Sequence, residues 1–399
     1  MAGMEPDPTE MIDEFETAGS NQTGMRQRNE RLVLSLLRRL GPLPKAEIAR
    51  KTGLSAQTVS VIMRALEKDG LLEKGEKLRG KVGQPSVPMR LAPNGALFLG
   101  LKVGRRSAEM ILVNFVGEEL GHVTRAYNYP TPDATLAFAR AAVDEICAGL
   151  SPAEQGRIAG LGIASPFFLW EWAAMIGVDP AKMAAWKGFD LQAQMAEMFD
   201  FPVFLGNDAT SACGAELTFG TGDTPPDFLY IYVGYFIGGG IALHGATYSG
   251  RAGNAGAIGP FPIMARDGTT RQLVDTASLI GLERRVEAEA GDITRMMAQQ
   301  EDWDIADHIV DDWLTEAAPS IAQLIAGTIS IIDFTTVLID GNMPASLRGK
   351  VIEHVRRALE DMPLSGLLLP EIRAGSLGPR ARSLGAASLP LSNRFMLEA

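Results

Sequence analysis

Three short stretches of this chain carry residue types and spacings that could do chemistry. The first, YIYVGYFIGGGIALHG at 230–245, runs an alternating apolar strand into a turn with three consecutive glycines and out into a second strand. Such a turn can close backbone N–H groups around a phosphate. It can also serve only a tight strand connection, where glycine supplies positive φ or close backbone approach. The second, PVFLGNDATSACGAE, sets Asn207 and Asp208 between a strand and a helix. The local reading of that pair is that Asp208 caps the helix that starts at Ala209 and Asn207 shapes the turn. The third, LSAQTVSVIMRALEKDG, reads as a helix with Ser55 as N-cap and Val59, Ile62, Met63 and Leu66 on its buried face. Its other side presents Ala56, Gln57, Thr58, Ser60 and Arg64. A helix entering a DNA major groove needs that mixture: small residues for approach, amides and hydroxyls for base edges and phosphates, and a nearby cation.

The elements around that third stretch fit the same purpose. From Arg26 the pattern is helical, with Val33, Leu36, Leu37 and Leu40 on one face, and Gly41-Pro42 stops it. PKAEIARKTG is a short second helix with Ile48 and Ala49 inward and Gly53 at its end. After Gly70 the chain reads as a two-stranded ribbon whose tip carries Lys77, Arg79 and Lys81. Helix, helix, glycine turn, helix and basic hairpin make a winged helix-turn-helix. Charge agrees with this. Residues 25–90 hold fifteen Lys and Arg against six acids, whereas residues 91–399 hold twenty-two against thirty-six. An acidic protein with one basic module points to nucleic acid at that module; the alternative is a three-helix scaffold with a solvated polar face. Residues 1–24 hold six acids, no Lys or Arg and no periodicity, which predicts a flexible acidic arm ahead of a DNA-binding domain at 25–92.

The remaining stretch, 93–399, alternates strands and helices twice over. A three-strand meander with turns at Gly104-Arg105 and Gly117-Glu118 is followed by a helix near 133–150, the strand RIAGLGIAS and further helix–strand pairs. The order then repeats from Phe228, with TTVLID and LLLPEIRAG as later strands. Two such copies predict an α/β domain of two lobes with a cleft between them, the actin-like or hexokinase-like architecture. No apolar run is long enough to cross a bilayer, and the polar N-terminus is no signal peptide, so no membrane association and a cytoplasmic location are expected. Cys147 and Cys213 sit on apolar segments, which predicts two buried reduced thiols and no disulfide framework.

Several of these stretches together resemble the ROK family of repressors and sugar kinases, in its repressor branch. They are the winged helix-turn-helix, GLKVGRRSAEMILVN, the FDLQAQMAEMFDFPVFLGNDATSACGAE run after a Trp, and GYFIGGGIALHGATYSGRAGNAGAIGP. The resemblance runs from residue 26 to about 390. It implies a dimeric or tetrameric repressor that binds a double-stranded DNA operator and responds to a sugar-like effector. In the family's kinases, strand one ends in an Asp of the first phosphate cradle; Lys102 stands there, a cation with no acceptor for a metal. The second cradle opens with Gly-Thr-Gly; Gly234-Tyr235-Phe236 stands there, with bulk where a phosphate would approach, although Gly238, Gly239 and Gly240 remain. The family's zinc His and three Cys fall at Pro260, Ala265, Asp267 and Gln272, so no metal is expected. Two sugar-binding glutamates fall at Ala257 and near Val274, with Asp275 as a possible substitute. Asn207 and Asp208 match the family's Asn-Asp pair, whose Asp is the kinases' catalytic base and both of whose residues touch sugar; with Ser165, in the Ser/Ala-Pro motif, they are the candidate ligand contacts. Phe167, Phe168, Trp170, Trp172 and Trp186 replace a glycine-rich loop; they could stack on a ligand, but core or an interface is the preferred reading.

The resulting expectation is a DNA-binding regulator of sugar-related genes, not an enzyme. It would use no cofactor and carry a degenerate kinase-like domain for dimerisation and effector sensing. The alternatives are an ATP-dependent sugar kinase with a DNA-binding module, and a ligand-free regulator that answers to a protein partner.

Overall fold

The computed structural model describes residues 22–76, 87–173, 175–221, 223–290 and 302–397. Lys77, Arg79 and Lys81 of the expected wing lie outside the described residues, as does most of the expected acidic arm. The chain divides into two compact units: residues 1–92 with Phe395–Leu397, and residues 93–394 with 398–399.

In the first unit, α1 (Gln22–Leu40), α2 (Lys45–Thr52) and α3 (Ala56–Lys68) precede an antiparallel ribbon of β1 (Leu72–Lys74) and β2 (Met89–Leu91), registered Leu72 to Leu91. The first helix begins at Gln22, inside the stretch expected to be arm, because propagating an existing helix by one turn costs little. Its inward residues are Val33, Leu34 and Leu37; Leu40, expected inward, is exposed at the helix end. Gly53 closes α2 in the left-handed region at φ 71°, as its position after the last inward residue implies. Ile48, Val59, Ile62, Met63 and Leu66 complete the core. Leu43 and Met89 exchange both backbone hydrogen bonds, at 3.0 and 2.9 Å, tying the α1–α2 link to the ribbon. Three residues from far along the chain also belong here: the Leu397 N–H donates to Ser35 Oγ at 2.9 Å, and Ser35 Oγ donates to Met396 Sδ at 3.7 Å.

The Ser55 hydroxyl accepts from the Thr58 N–H at 3.0 Å, capping α3. Ser55→Ala is expected to lower the stability of this unit by about 1 kcal/mol, read as a lower denaturation midpoint by helical circular dichroism.

The second unit contains two five-stranded sheets. The first is ordered β5 (Glu119–Ala126), β4 (Ser107–Asn114), β3 (Leu97–Val103), β6 (Ile158–Ser165), β7 (Val203–Asn207); β6 runs parallel to both β3 and β7. The second is ordered β10 (Ala246–Thr247), β9 (Gly238–Leu243), β8 (Phe228–Val233), β13 (Thr336–Gly341), β14 (Glu371–Ala374). Between β10 and β13 in sequence lies the small ribbon β11 (Pro262–Met264) and β12 (Thr270–Gln272). Each sheet has its own apolar core. Helix α4 (Pro132–Ala148) covers the first through Phe138 and Val143, and α5 (Asp307–Ile329) covers the second through Trp313, Ile321 and Ile325. The last strand is shorter than LLLPEIRAG suggested. Pro370 has no N–H for a ladder, and Leu368 and Leu369 are exposed. Cys213 is buried, but Cys147 is only partly so, because it lies near the end of α4.

Two helices bring the sheets' functional ends together. Helix α6 (Asp208–Phe219) follows β7, and α7 (Ala381–Phe395) lies against β3 and β6. The approach of α7 is so close that a Cβ on Gly162 would strike the Ala386 carbonyl, and one on Gly385 would strike the Ser211 backbone of α6. Glycine is required at both places for want of space.

Candidate functional site

The three consecutive glycines do not form the turn. Gly238, Gly239 and Gly240 are ladder residues of β9, opposite Tyr232, Ile231 and Tyr230, and none has positive φ. The turn is made by 234–237. Gly238 and Gly240 are needed because α6 presses on the strand, and Gly239 because a Cβ there would lie 2.7 Å from the Tyr230 carbonyl oxygen. A Cβ on Gly238 would lie 2.7 Å from the Ala209 Cβ, and one on Gly240 would collide with Cys213. Of the two readings of this stretch, close packing of a helix is the one the geometry supplies.

Above these strands the second unit holds a cavity of about 680 Å³, lined by both sheets' connecting loops and by Arg382 of α7. The β3–β4 turn places Lys102 and Arg105 on one wall. Asn207 and Asp208 form the floor at the start of α6, and Tyr232, Tyr235 and Phe236 come from β8 and its turn. Asn207, not Asp208, is the cap: its Oδ1 accepts from the Ala209 and Thr210 N–H groups at 3.1 and 3.2 Å. That frees Asp208, the first residue of α6, for a different partner. Its Oδ2 accepts from Arg382 Nη1 at 3.0 Å, across 174 positions of sequence.

Arg382 lies over the Tyr232 ring, 4.8 Å from its centroid. Burial works against its charge, but Tyr232 and Asp208 outweigh that and hold its pKa above the ordinary value. Burial, moderated by Arg382, pushes the Tyr232 phenol up to about 12, so it remains an O–H. Lys102 Nζ donates to Glu109 Oε1 at 2.6 Å; the two are cross-strand partners on β3 and β4. Burial and then Arg382 lower the Lys102 pKa against the pull of Glu109. Arg105, on the same wall as Lys102, stacks on Tyr235 at 3.3 Å and lies 3.5 Å from Glu283 Oε2. Burial raises the Glu283 pKa against Arg105 and Arg106.

The other expected positions fall as follows. Phe167, Phe168 and Trp172 line the cavity; Trp172 also packs against the first sheet's core, as expected, and meets Phe236 edge-on at 4.8 Å. Phe168 is half exposed at φ 60°, a costly backbone for an aromatic residue. Trp186 is core, its Nε1 donating to the Pro130 carbonyl at 3.0 Å. Trp170 packs partly buried against the same core. Ser165 is not on the cavity: it is buried, its hydroxyl donates to the Pro166 carbonyl at 3.3 Å, and it lines a smaller apolar hollow beside Trp186. Asp275 does not replace the missing glutamates either, since its carboxylate accepts from the Gln272 N–H at 3.2 Å, capping the short helix Leu273–Ala277. Ala257, Pro260, Gln272 and Val274 are on the wall. Asp267 is taken by Thr269 and by Arg271 at 2.6 Å. Gln323 bonds both backbone groups of Met264, at 2.8 and 3.0 Å, which fixes the ribbon mechanically.

In the first unit, Ala56, Gln57 and Arg64 are exposed on α3 and Ser60 is half buried. The Ser55 and Thr58 hydroxyls lie 2.8 Å apart and are engaged with each other and the helix start, so they build the helix rather than extend from it. Val61 was missed. It is exposed on α3, four residues after Gln57 and three before Arg64, and its place in an apolar run disguised it. Arg382 was missed for another reason: nothing near it in sequence marks it, and its partner is remote.

Comparison with known proteins bears on both units. The model of the ROK family matches residues 98–392, and a winged helix-turn-helix DNA-binding model matches residues 26–73. An uncharacterized protein y4fQ of Sinorhizobium fredii is 25% identical over 92% of this chain and 91% of its own length. The xylose repressor of Bacillus subtilis is 22% identical over 61% of this chain and 62% of its own. The DNA-binding transcriptional dual regulator NagC of Escherichia coli is 25% identical over 59% and 57%. This chain thus spans about three fifths of those two regulators. Among solved structures, a ROK family transcriptional regulator homologous to Escherichia coli Mlc shares the fold at a TM-score of 0.66, with 20% identity over 94% of this chain and 98% of that one. A ROK glucokinase of Streptomyces griseus shares it at 0.55, with 21% identity over 74% and 99%.

Proposed function

The chain belongs to the ROK family, and from that premise we propose that it is a DNA-binding transcriptional regulator of sugar-related genes. Its second unit binds an effector without phosphorylating it. The observation that carries the DNA-binding half is the exposed face of α3, where Ala56, Gln57, Val61 and Arg64 stand clear of the unit's core. Gln57 suits the edge of adenine, Val61 the methyl of thymine and Arg64 a phosphate or guanine. Lys77, Arg79 and Lys81 add positive charge suited to DNA phosphates. A dimer would place two such helices on a palindromic operator, and the names of the two regulators support the sugar connection. No helix among the described residues is long and apolar enough to cross a membrane, in keeping with a DNA-bound role in the cytoplasm.

The non-catalytic half rests on the cleft. Phosphoryl transfer needs a base free to meet the attacking hydroxyl and cations organised around the phosphates. Here the carboxylate of Asp208 already accepts from Arg382, and Lys102 is tied to Glu109. Tyr235 and Phe236 occupy the turn where the triphosphate would be cradled. The test is a coupled ADP-release assay with magnesium, ATP and a panel of hexoses, pentoses and amino sugars. The expected result is no turnover above background in the wild type and in Asp208→Asn alike. Sugar-dependent turnover that disappears in Asp208→Asn would establish the kinase reading instead.

A further inference from the structure

The domain that holds the cleft is strongly acidic, with an excess of fourteen acids over bases across 91–399. The cleft is not. Four cations line it, Lys102, Arg105, Arg106 and Arg382, against three acids, Glu171, Asp208 and Glu283, and Glu109 behind the wall pairs with Lys102. The cavity is therefore close to neutral inside an acidic domain, and a phosphate ester near two negative charges would find no excess of positive charge to meet it.

Polar satisfaction at the floor points the same way. Arg382 can donate five hydrogen bonds, and one of them goes from Nη1 to Asp208. Its Nε is buried without a partner among the described residues, and the hydroxyl of Tyr232, on whose ring the guanidinium rests, has no acceptor there for its own proton. Tyr232 is 1% exposed. Buried polar groups of this kind are normally paired. The side of the guanidinium that carries Nε and Nη2 is the edge that grips a planar carboxylate with two parallel bonds while Nη1 stays on Asp208. The Tyr232 hydroxyl is a third donor in the same place. Trp172 and Phe236 meanwhile offer flat apolar faces for the C–H side of a sugar ring.

We propose that the cleft binds a polyhydroxylated monocarboxylate, a sugar acid of the uronic or aldonic class, with its carboxylate held by Arg382 and Tyr232 and its hydroxyls by Asn207 and Asp208. This rests on the reading of the cleft as an effector site, and it names the ligand class for that site.

Isothermal titration of the full chain tests it. The probes are D-glucuronate, D-galacturonate and D-gluconate, each beside its parent hexose and that hexose's 6-phosphate. At least one acid is expected to bind tenfold or more tightly than its neutral counterpart and than the phosphate. Tyr232→Phe, which removes one oxygen and no volume from the packing, is expected to weaken that acid several-fold without weakening the neutral sugar. Arg382→Lys, which keeps the charge and loses the fork, is expected to weaken it tenfold or more. The proposal is overturned by equal affinity for acid and neutral sugar, by tighter binding of the phosphate, by indifference of acid binding to both substitutions, or by binding of none of the acids. Retention of DNA by the same preparations is scored separately, so failure of the ligand assignment is distinguishable from failure of the regulatory reading.

Discussion

The double substitution Gln57→Ala and Arg64→Ala is expected to reduce affinity for a DNA site selected from a random pool by roughly a hundredfold or more. It should leave the melting temperature unchanged. Both side chains are exposed on α3, and Arg64 makes no ion pair with any described residue. Their removal therefore leaves the packing of Val59, Ile62, Met63 and Leu66 as it is. The two halves separate by sequence and salt. Loss of Gln57 should relax preference at one base pair, whereas loss of Arg64 from a phosphate should weaken all sequences alike and lower the salt slope by about one. Fluorescence anisotropy at several salt concentrations reads both. Unaltered affinity in the double variant would remove α3 from the DNA interface and with it the proposed mode of recognition.

Gly162→Ala is expected to cost about 3 kcal/mol or more, enough to leave the second unit largely unfolded or insoluble. The added methyl falls on the Ala386 carbonyl, with Pro390 also in reach at 2.9 Å from the new atom, and both belong to the backbone or ring of α7. Neither can swing aside as a long side chain would, so β6 and α7 must separate. Gly349→Ala is the matched control. It lies in the helix Ala345–Glu360 with nothing within 4 Å of the new methyl, and it should raise stability slightly, by about 0.5–1 kcal/mol. All five tryptophans, at 170, 172, 186, 303 and 313, lie in the second unit, so tryptophan emission follows its unfolding alone. A Gly162→Ala protein that melts with the wild type would refute the close approach of α7 to β6.

What could be read from the sequence was whatever is written within a few residues. A polar cap, a 3.6-residue apolar period and a glycine stop located α3, and alternation with turn residues located the meander at 97–126. The Gly238–Gly240 run was legible as a need for small residues but not for its reason. At Gly238 and Gly240 the need comes from Ala209 and Cys213 on α6, a packing partner that local pattern does not contain. Assigning the cap to Asp208 and not Asn207 was a one-residue error of register: both residues cap well, and only the identity of Arg382 as a partner decides between them. Ser165 and the aromatic stretch show the limit of local pattern. A motif position turned inward, and the aromatic run divided, Trp186 into the core and Phe167, Phe168 and Trp172 to a cavity wall, with Phe168 held there by an unfavourable backbone angle. Long-range ion pairs such as Arg382 with Asp208 have no signature in a single sequence.

The bond from Leu397 to Ser35 spans 362 positions, and it sets an order of events during synthesis. Domains on a growing chain usually fold as units, the earliest first. The first unit here can form its three helices and ribbon early, but the segment that contacts α1 emerges only after the whole second unit has been translated. A nascent or prematurely terminated chain would carry a head lacking that segment, and the same holds for any fragment cut at Ala92.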